Sequence, residues 1–103
     1  MVVKFNTREL ADLYEIPLHD IRGKQKIPND IIKQYKKKVQ LLLSVSKLEE
    51  LKNFRSLNFE YLKGERKGQC SIRLNIQYRL ILVPVSEDEI EIVLIKEISK
   101  HYE

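Results

Sequence analysis

The chain of 103 residues has one cysteine, Cys70, which excludes an internal disulfide framework and any cysteine-based zinc site. Its histidines, His19 and His101, stand at opposite ends, so no metal ion and no cofactor is expected. Three glycines and three prolines leave most of the chain for regular elements. No apolar run approaches the ~18 residues that a membrane span needs. The opening Met1-Val2-Val3-Lys4-Phe5-Asn6 is too short for a signal peptide. The expectation is a reduced, soluble, cytoplasmic protein of one domain, residues 1–103, with no membrane partner. A glycine-rich phosphate loop, Gly-x-Ser-x-Gly and His-Glu-x-x-His are all missing, which removes the commonest enzyme signatures.

What is present is a globular balance, 43% apolar and 33% charged, with an uneven charge distribution. Residues 1–30 are neutral, residues 31–85 carry twelve basic and four acidic side chains (+8), and residues 86–103 carry −4. So basic a middle segment suits a polyanion, most simply nucleic acid. The plain alternative is a surface of solvated lysines.

Periodicity divides the chain. Val2 to Phe5 favours a strand, and Asn6-Thr7-Arg8-Glu9 resembles a capping box with Asn6 at the cap, opening a helix over about 7–15. Pro17 ends it, and 16–28 reads as a loop. Residues 29–45 form the clearest helix, capped by Asn29. Its apolar stripe is Ile31, Ile32, Tyr35, Val39, Leu42 and Leu43, with Lys33, Lys36, Lys37 and Lys38 mostly opposite. Ser46-Lys47-Leu48-Glu49 reads as a second capping box, opening a short helix or turn. Strands follow at 70–74, 78–85 and 90–95, the last with Ile92 and Leu94 on one face, and Ser86-Glu87-Asp88-Glu89 forms a turn. The order β-α-α-β-β-β predicts an α+β fold, with two helices on one face of a small, mainly antiparallel sheet.

Five cations fall within seventeen residues, Lys63 to Arg79. A three-residue loop, Asn75-Ile76-Gln77, pairs Leu74 with Tyr78, Arg73 with Arg79 and Ile72 with Leu80. Cys70, Ile72, Leu74, Tyr78, Leu80 and Leu82 then share one apolar face. A two-residue turn would split that core across both faces. The preferred register sets two arginines directly opposite each other, which destabilises a sheet by up to ~1 kcal/mol. A bound phosphate would remove the repulsion. Solvent, or acidic residues such as Glu91 and Glu97, would do so as well. Cys70, in mid-strand alternation, reads as a buried thiol.

The runs Leu62-Lys63-Gly64-Glu65-Arg66-Lys67-Gly68, Ser71-Ile72-Arg73-Leu74-Asn75 and Gln77-Tyr78-Arg79-Leu80-Ile81 resemble the signature of HigB-type toxins of the RelE superfamily, the plasmid maintenance killers of type II toxin–antitoxin pairs. The resemblance extends over roughly residues 30–103. It implies an α+β RelE-like fold and an endoribonuclease that cuts mRNA on the ribosome. It also implies a helix-turn-helix (HigA-like) antitoxin as partner, with DNA reached only through that antitoxin. By position, Lys63, Arg73, Arg79 and His101 match catalytic or phosphate-contacting residues. Arg66 and Lys67 match RNA-holding positions, with Lys36 and Lys37 extending the basic field. Cys70 and Tyr78 replace tryptophans of many relatives, and Ser99-Lys100-His101-Tyr102-Glu103 departs from the commoner Asp-Tyr-His ending.

Metal-independent RNA cleavage needs a base for the 2′-hydroxyl, cations around phosphorus and an acid for the leaving 5′-oxygen. Arg73 and Arg79 can hold the phosphate in bidentate fashion. His101, with an ordinary pKa near ~6.5, suits either proton role, and Lys63 suits charge stabilisation or proton transfer. Two other readings stand beside this one: a non-catalytic nucleic-acid-binding domain, and a protein-interaction module that docks an acidic partner. The inhibitory partner is expected on the exposed side of the 29–45 helix rather than over the arginines.

Overall fold

The computed structural model describes residues 1–23 and 26–100. Its elements run β1 (Val2–Phe5), α1 (Arg8–Glu15), α2 (Asn29–Ser44), β2 (Glu60–Tyr61), β3 (Cys70–Arg73), β4 (Tyr78–Pro84) and β5 (Ile92–Lys100). Short 3-10 turns at Leu18–Asp20, Leu48–Asn53, Arg55–Leu57 and Gly64–Arg66 occupy the connections. The α+β expectation holds, with a mixed sheet of five strands in the order β1-β5-β4-β3-β2. β1 runs parallel to β5, and every other neighbour is antiparallel.

Helix starts differ from expectation by one residue. Thr7 rather than Asn6 caps α1, its hydroxyl accepting from the Leu10 N–H at 3.2 Å. Pro28 precedes α2, and Asn29 is already its first residue. A proline here loses no hydrogen bond, because the first N–H groups of a helix have no partner inside it. Asn6 instead reaches β5, where its side-chain amide donates to the Lys96 carbonyl at 3.3 Å. In the expected Ser46–Glu49 box it is Glu50 that accepts from the Ser46 N–H (2.7 Å), while Glu49 accepts from the Tyr61 hydroxyl and from Lys52.

α2 lays Ile31, Tyr35, Val39 and Leu42 against Ile72, Leu80, Leu82, Val93 and Ile95 of the sheet. Leu43, read as part of that stripe, stands 46% exposed instead. Leu51 and Leu57, from the 3-10 turns, complete the core and are shielded from solvent. The Tyr35 hydroxyl, fully buried, donates to the Leu10 carbonyl at 2.6 Å and so ties α2 to α1. On β5 Ile92 and Leu94 share one face as expected, and Val93 and Ile95 on the other face join the core packed against α2.

The hairpin register is the expected one, with Ile72 opposite Leu80 and Arg73 opposite Arg79. Asn75 holds the turn, its side-chain oxygen accepting from the Gln77 and Tyr78 N–H groups. Between β4 and β5 the pairing jumps from Ile81↔Glu97 to Leu82↔Ile95, leaving Lys96 as an extra residue. Such a bulge reverses which face each following side chain takes. Ile98 therefore rejoins the core side, and Glu97 and Ser99 emerge on the opposite face.

Burial raises the proton affinity of two core groups: it drives the Cys70 thiol up to about 12 and the Tyr35 hydroxyl above its ordinary value. Both are neutral when protonated, so the fold holds protons that the unfolded chain releases earlier. Their stabilising contribution is complete below the ordinary values and is lost as pH rises towards the folded ones. Denaturant unfolding should show stability falling from about pH 9 upward, with a shallower fall in Cys70→Ala. An identical slope in that variant would contradict the assignment.

Candidate functional site

The sheet face away from the helices carries the charge. Along one row across the strands, Glu60, Ser71, Ile81 and Glu97 lie side by side, and along the next lie Arg73, Arg79 and Ser99. Ser71 and Ile81 are buried and form the floor. A cleft of about 250 Å³ opens over them, lined by Glu60, Leu62, Arg66, Ser71, Arg79, Ser99 and Lys100 among others.

The two facing arginines are not equivalent. Arg79, with its side chain 14% exposed, is anchored. Its Nη1 donates to the Ser71 Oγ at 3.1 Å and to the Asn58 carbonyl at 3.4 Å, and lies 3.6 Å from the Glu60 carboxylate. Asn58 takes a left-handed backbone conformation (φ 47°), which asparagine tolerates better than most residues. Arg73 is exposed and makes no ion pair or hydrogen bond among the described residues. The repulsion expected of this pair is met by tying one guanidinium to a carboxylate and leaving the other in water.

Arg66 follows the tight turn at Gly64, whose φ of 64° favours glycine. It donates to the Gln69 side chain at 3.0 Å and to Glu97 at 2.8 Å. Neighbouring Lys63 and Lys67 are exposed and unpaired among the described residues. The fold thus gathers Arg66, Arg73 and Arg79 on or beside one face, with Lys63 and Lys67 on the adjoining turn. Of the acidic residues considered as counter-charges, Glu97 does serve, but for Arg66, while Glu91 accepts from Ser86.

Lys36 and Lys37 lie elsewhere, on α2, which packs on the opposite face of the sheet. Lys36 donates to the Tyr14 carbonyl at 3.0 Å and to Ile16, satisfying the C-terminal end of α1, and partial burial lowers its pKa. Lys37 is exposed. His101 lies outside the described residues. Glu60 was missed by sequence reasoning: a two-residue strand carries no period, and only the fold brings it to Arg79.

A helical layer on one side of a five-stranded sheet and a basic cleft on the other define a RelE-like toxin architecture. Among solved structures of this class, the YoeB/ParE toxin from Agrobacterium tumefaciens superposes with a TM-score of 0.57 at 16% identity, covering 99% of this chain and 100% of that one. The YoeB dimer from Staphylococcus aureus does so at 0.52 with 19% identity, covering 99% and 98%. The S. aureus YoeB–YefM complex matches at 0.51 with 18% identity and the same coverage, 99% and 98%. A family model described as the RelE-like toxin of the type II toxin–antitoxin system HigB matches residues 3–94. Toxin HigB-1 of Vibrio cholerae is 35% identical over 81 residues, 79% of this chain and 81% of that protein. The chain belongs to the HigB family of type II toxin–antitoxin toxins.

The anchoring of Arg79 has a measurable consequence. Arg79→Ala leaves the buried Ser71 hydroxyl without its partner, and a loss of about 1–3 kcal/mol is expected in urea unfolding. Arg66→Ala breaks a pair exposed by 42% and 41%, and a loss below about 1 kcal/mol is expected. Equal losses would contradict the distinction.

Proposed function

We propose that this toxin is a ribosome-dependent, metal-independent endoribonuclease that cleaves mRNA through attack of a 2′-hydroxyl on the adjacent phosphorus. The new P–O2′ bond forms as the P–O5′ bond breaks, leaving a cyclic phosphate and a 5′-hydroxyl. A base takes the 2′ proton and an acid supplies one to the 5′-oxygen. In this reading Arg79 and Arg73 bind the phosphate and Lys63 offsets the developing charge. His101 serves one proton role, and Arg66 and Lys67 guide the strand. Lys37, and Lys36 where its ammonium remains accessible, contribute only to the general basic field.

One observation carries the reading. Two arginines stand as direct cross-strand neighbours on the sheet face opposite α2, one anchored and one without a partner among the described residues. An oriented donor beside a mobile one suits a phosphodiester, whose charge must be held while its geometry changes. The reading also supplies the partners: ribosome and mRNA as substrate, and a helix-turn-helix antitoxin as inhibitor, which alone reaches DNA. The antitoxin docks on the exposed side of α2, where Lys33, Lys37 and Leu43 face solvent. The reaction site is cytoplasmic, and no helix among the described residues is long and apolar enough to cross a membrane.

Pairing of Arg66 and Arg79 with carboxylates reduces the net positive charge of the face, and this favours the second reading, a nucleic-acid-binding domain without catalysis. Cleavage of mRNA on purified programmed ribosomes separates the two. Arg73→Ala, which breaks no hydrogen bond or ion pair among the described residues, should keep the wild-type melting temperature and lose about 100-fold in cleavage rate. Full cleavage by that variant would remove Arg73 from the site. No cleavage by the wild-type chain, with RNA binding intact, would favour the non-catalytic domain.

A further inference from the structure

The acidic and basic segments of the chain meet in this cleft. Glu60 and Glu97 stand at the two ends of one cross-strand row, with the buried Ser71 and Ile81 between them. Each carboxylate faces one arginine: Glu60 lies 3.6 Å from Arg79, and Glu97 lies 2.8 Å from Arg66. All four side chains keep contact with solvent, so an incoming anion can reach both pairs.

We propose that Glu60 and Glu97 are built-in counter-anions of the phosphate site, which a phosphodiester must displace before the arginines can hold it. This deepens the nuclease reading and rests on it for the identity of the anion. A phosphodiester carries one negative charge and two non-bridging oxygens, so it replaces a carboxylate one for one on a guanidinium. The exchange has little net driving force for a lone strand, because a pair is broken for each pair made. Lys63, Lys67 and Arg73, unpaired among the described residues, supply the first attraction. A strand held in place by other contacts then displaces the carboxylates, whereas a free strand gains little by doing so. The two glutamates thereby act as positioning residues that set a threshold: weak capture of free polyanions, firm capture of a strand presented from outside.

The loose Glu60 contact should yield first. Glu97 is the firmer partner, and Arg66 retains Gln69 when it leaves. The bulge at Lys96 matters here, because without it Glu97 would point into the core side and Arg66 would lose its carboxylate partner.

The test is binding of a fluorescent single-stranded DNA, which lacks the 2′-hydroxyl and is not cleaved, followed by anisotropy over a range of salt. Glu60→Gln and Glu97→Gln keep side-chain size and remove one charge each. Each should tighten binding about 2–5-fold and steepen the log–log salt slope by about 0.7, the contribution of one newly available cation. Glu89→Gln, the same charge change on the exposed turn between β4 and β5, should leave the slope unchanged. Unchanged or weaker binding in both site variants would overturn the proposal. A Glu89→Gln variant that matches them would do the same, as would loss of folding in both site variants, which would make the carboxylates structural. Tighter binding by the glutamine variants together with absent ribosomal cleavage would overturn the nuclease reading and leave the counter-anions standing.

Discussion

The side-chain alternation of the β3–β4 hairpin is the constraint from which the rest follows. Asn75 closes a turn that places Ile72 opposite Leu80 and Arg73 opposite Arg79. A slip of one residue between the two strands would put Arg79 on the face of Ile72 and split the aliphatic core across both sides of the sheet. Burial of the aliphatic face against Tyr35, Val39 and Leu42 therefore holds the arginines on the other side, at a cost in like-charge repulsion that burial exceeds. Core and site are two faces of one register.

The second determinant is the break in that alternation on β5. Up to Ile95 the core side is occupied by odd-numbered residues, and after the extra Lys96 it is occupied by Ile98. Glu97 and Ser99 are thereby moved into line with Ile81 and Arg79. The Asn6 amide on the Lys96 carbonyl braces the bulge from β1, which explains why Asn6 is engaged there rather than at the start of α1. Parallel pairing of β1 with β5 thus contributes to the geometry of the cleft as well as to the edge of the sheet.

The hairpin was legible in the sequence because its pattern is local and strongly alternating, and the long helix because its apolar stripe is unbroken up to Leu42. Features that depend on distant partners were not. β2 has two residues and therefore no period, so Glu60 could not be placed beside Arg79. The bulge leaves no signature in composition, and the strand expected to end at Ile95 therefore continues unforeseen through Glu97 to Lys100. Lys36 reads as a surface cation by spacing, yet the end of α1 comes close enough to use its ammonium as a cap. Its fate was decided by the packing of the two helices, which spacing along one helix does not contain.

Two bodies of positive charge lie on opposite sides of the sheet, the arginine face and the lysines of α2, and the account assigns phosphate recognition to the first. Backbone amide shifts during titration with a short, non-cleavable single-stranded oligonucleotide decide between them. The account predicts that shifts concentrate at Lys63, Arg66, Ser71, Arg73, Arg79 and Ser99 while Lys33, Lys37 and Lys38 stay still. Shifts centred on α2, with the hairpin unmoved, would contradict it.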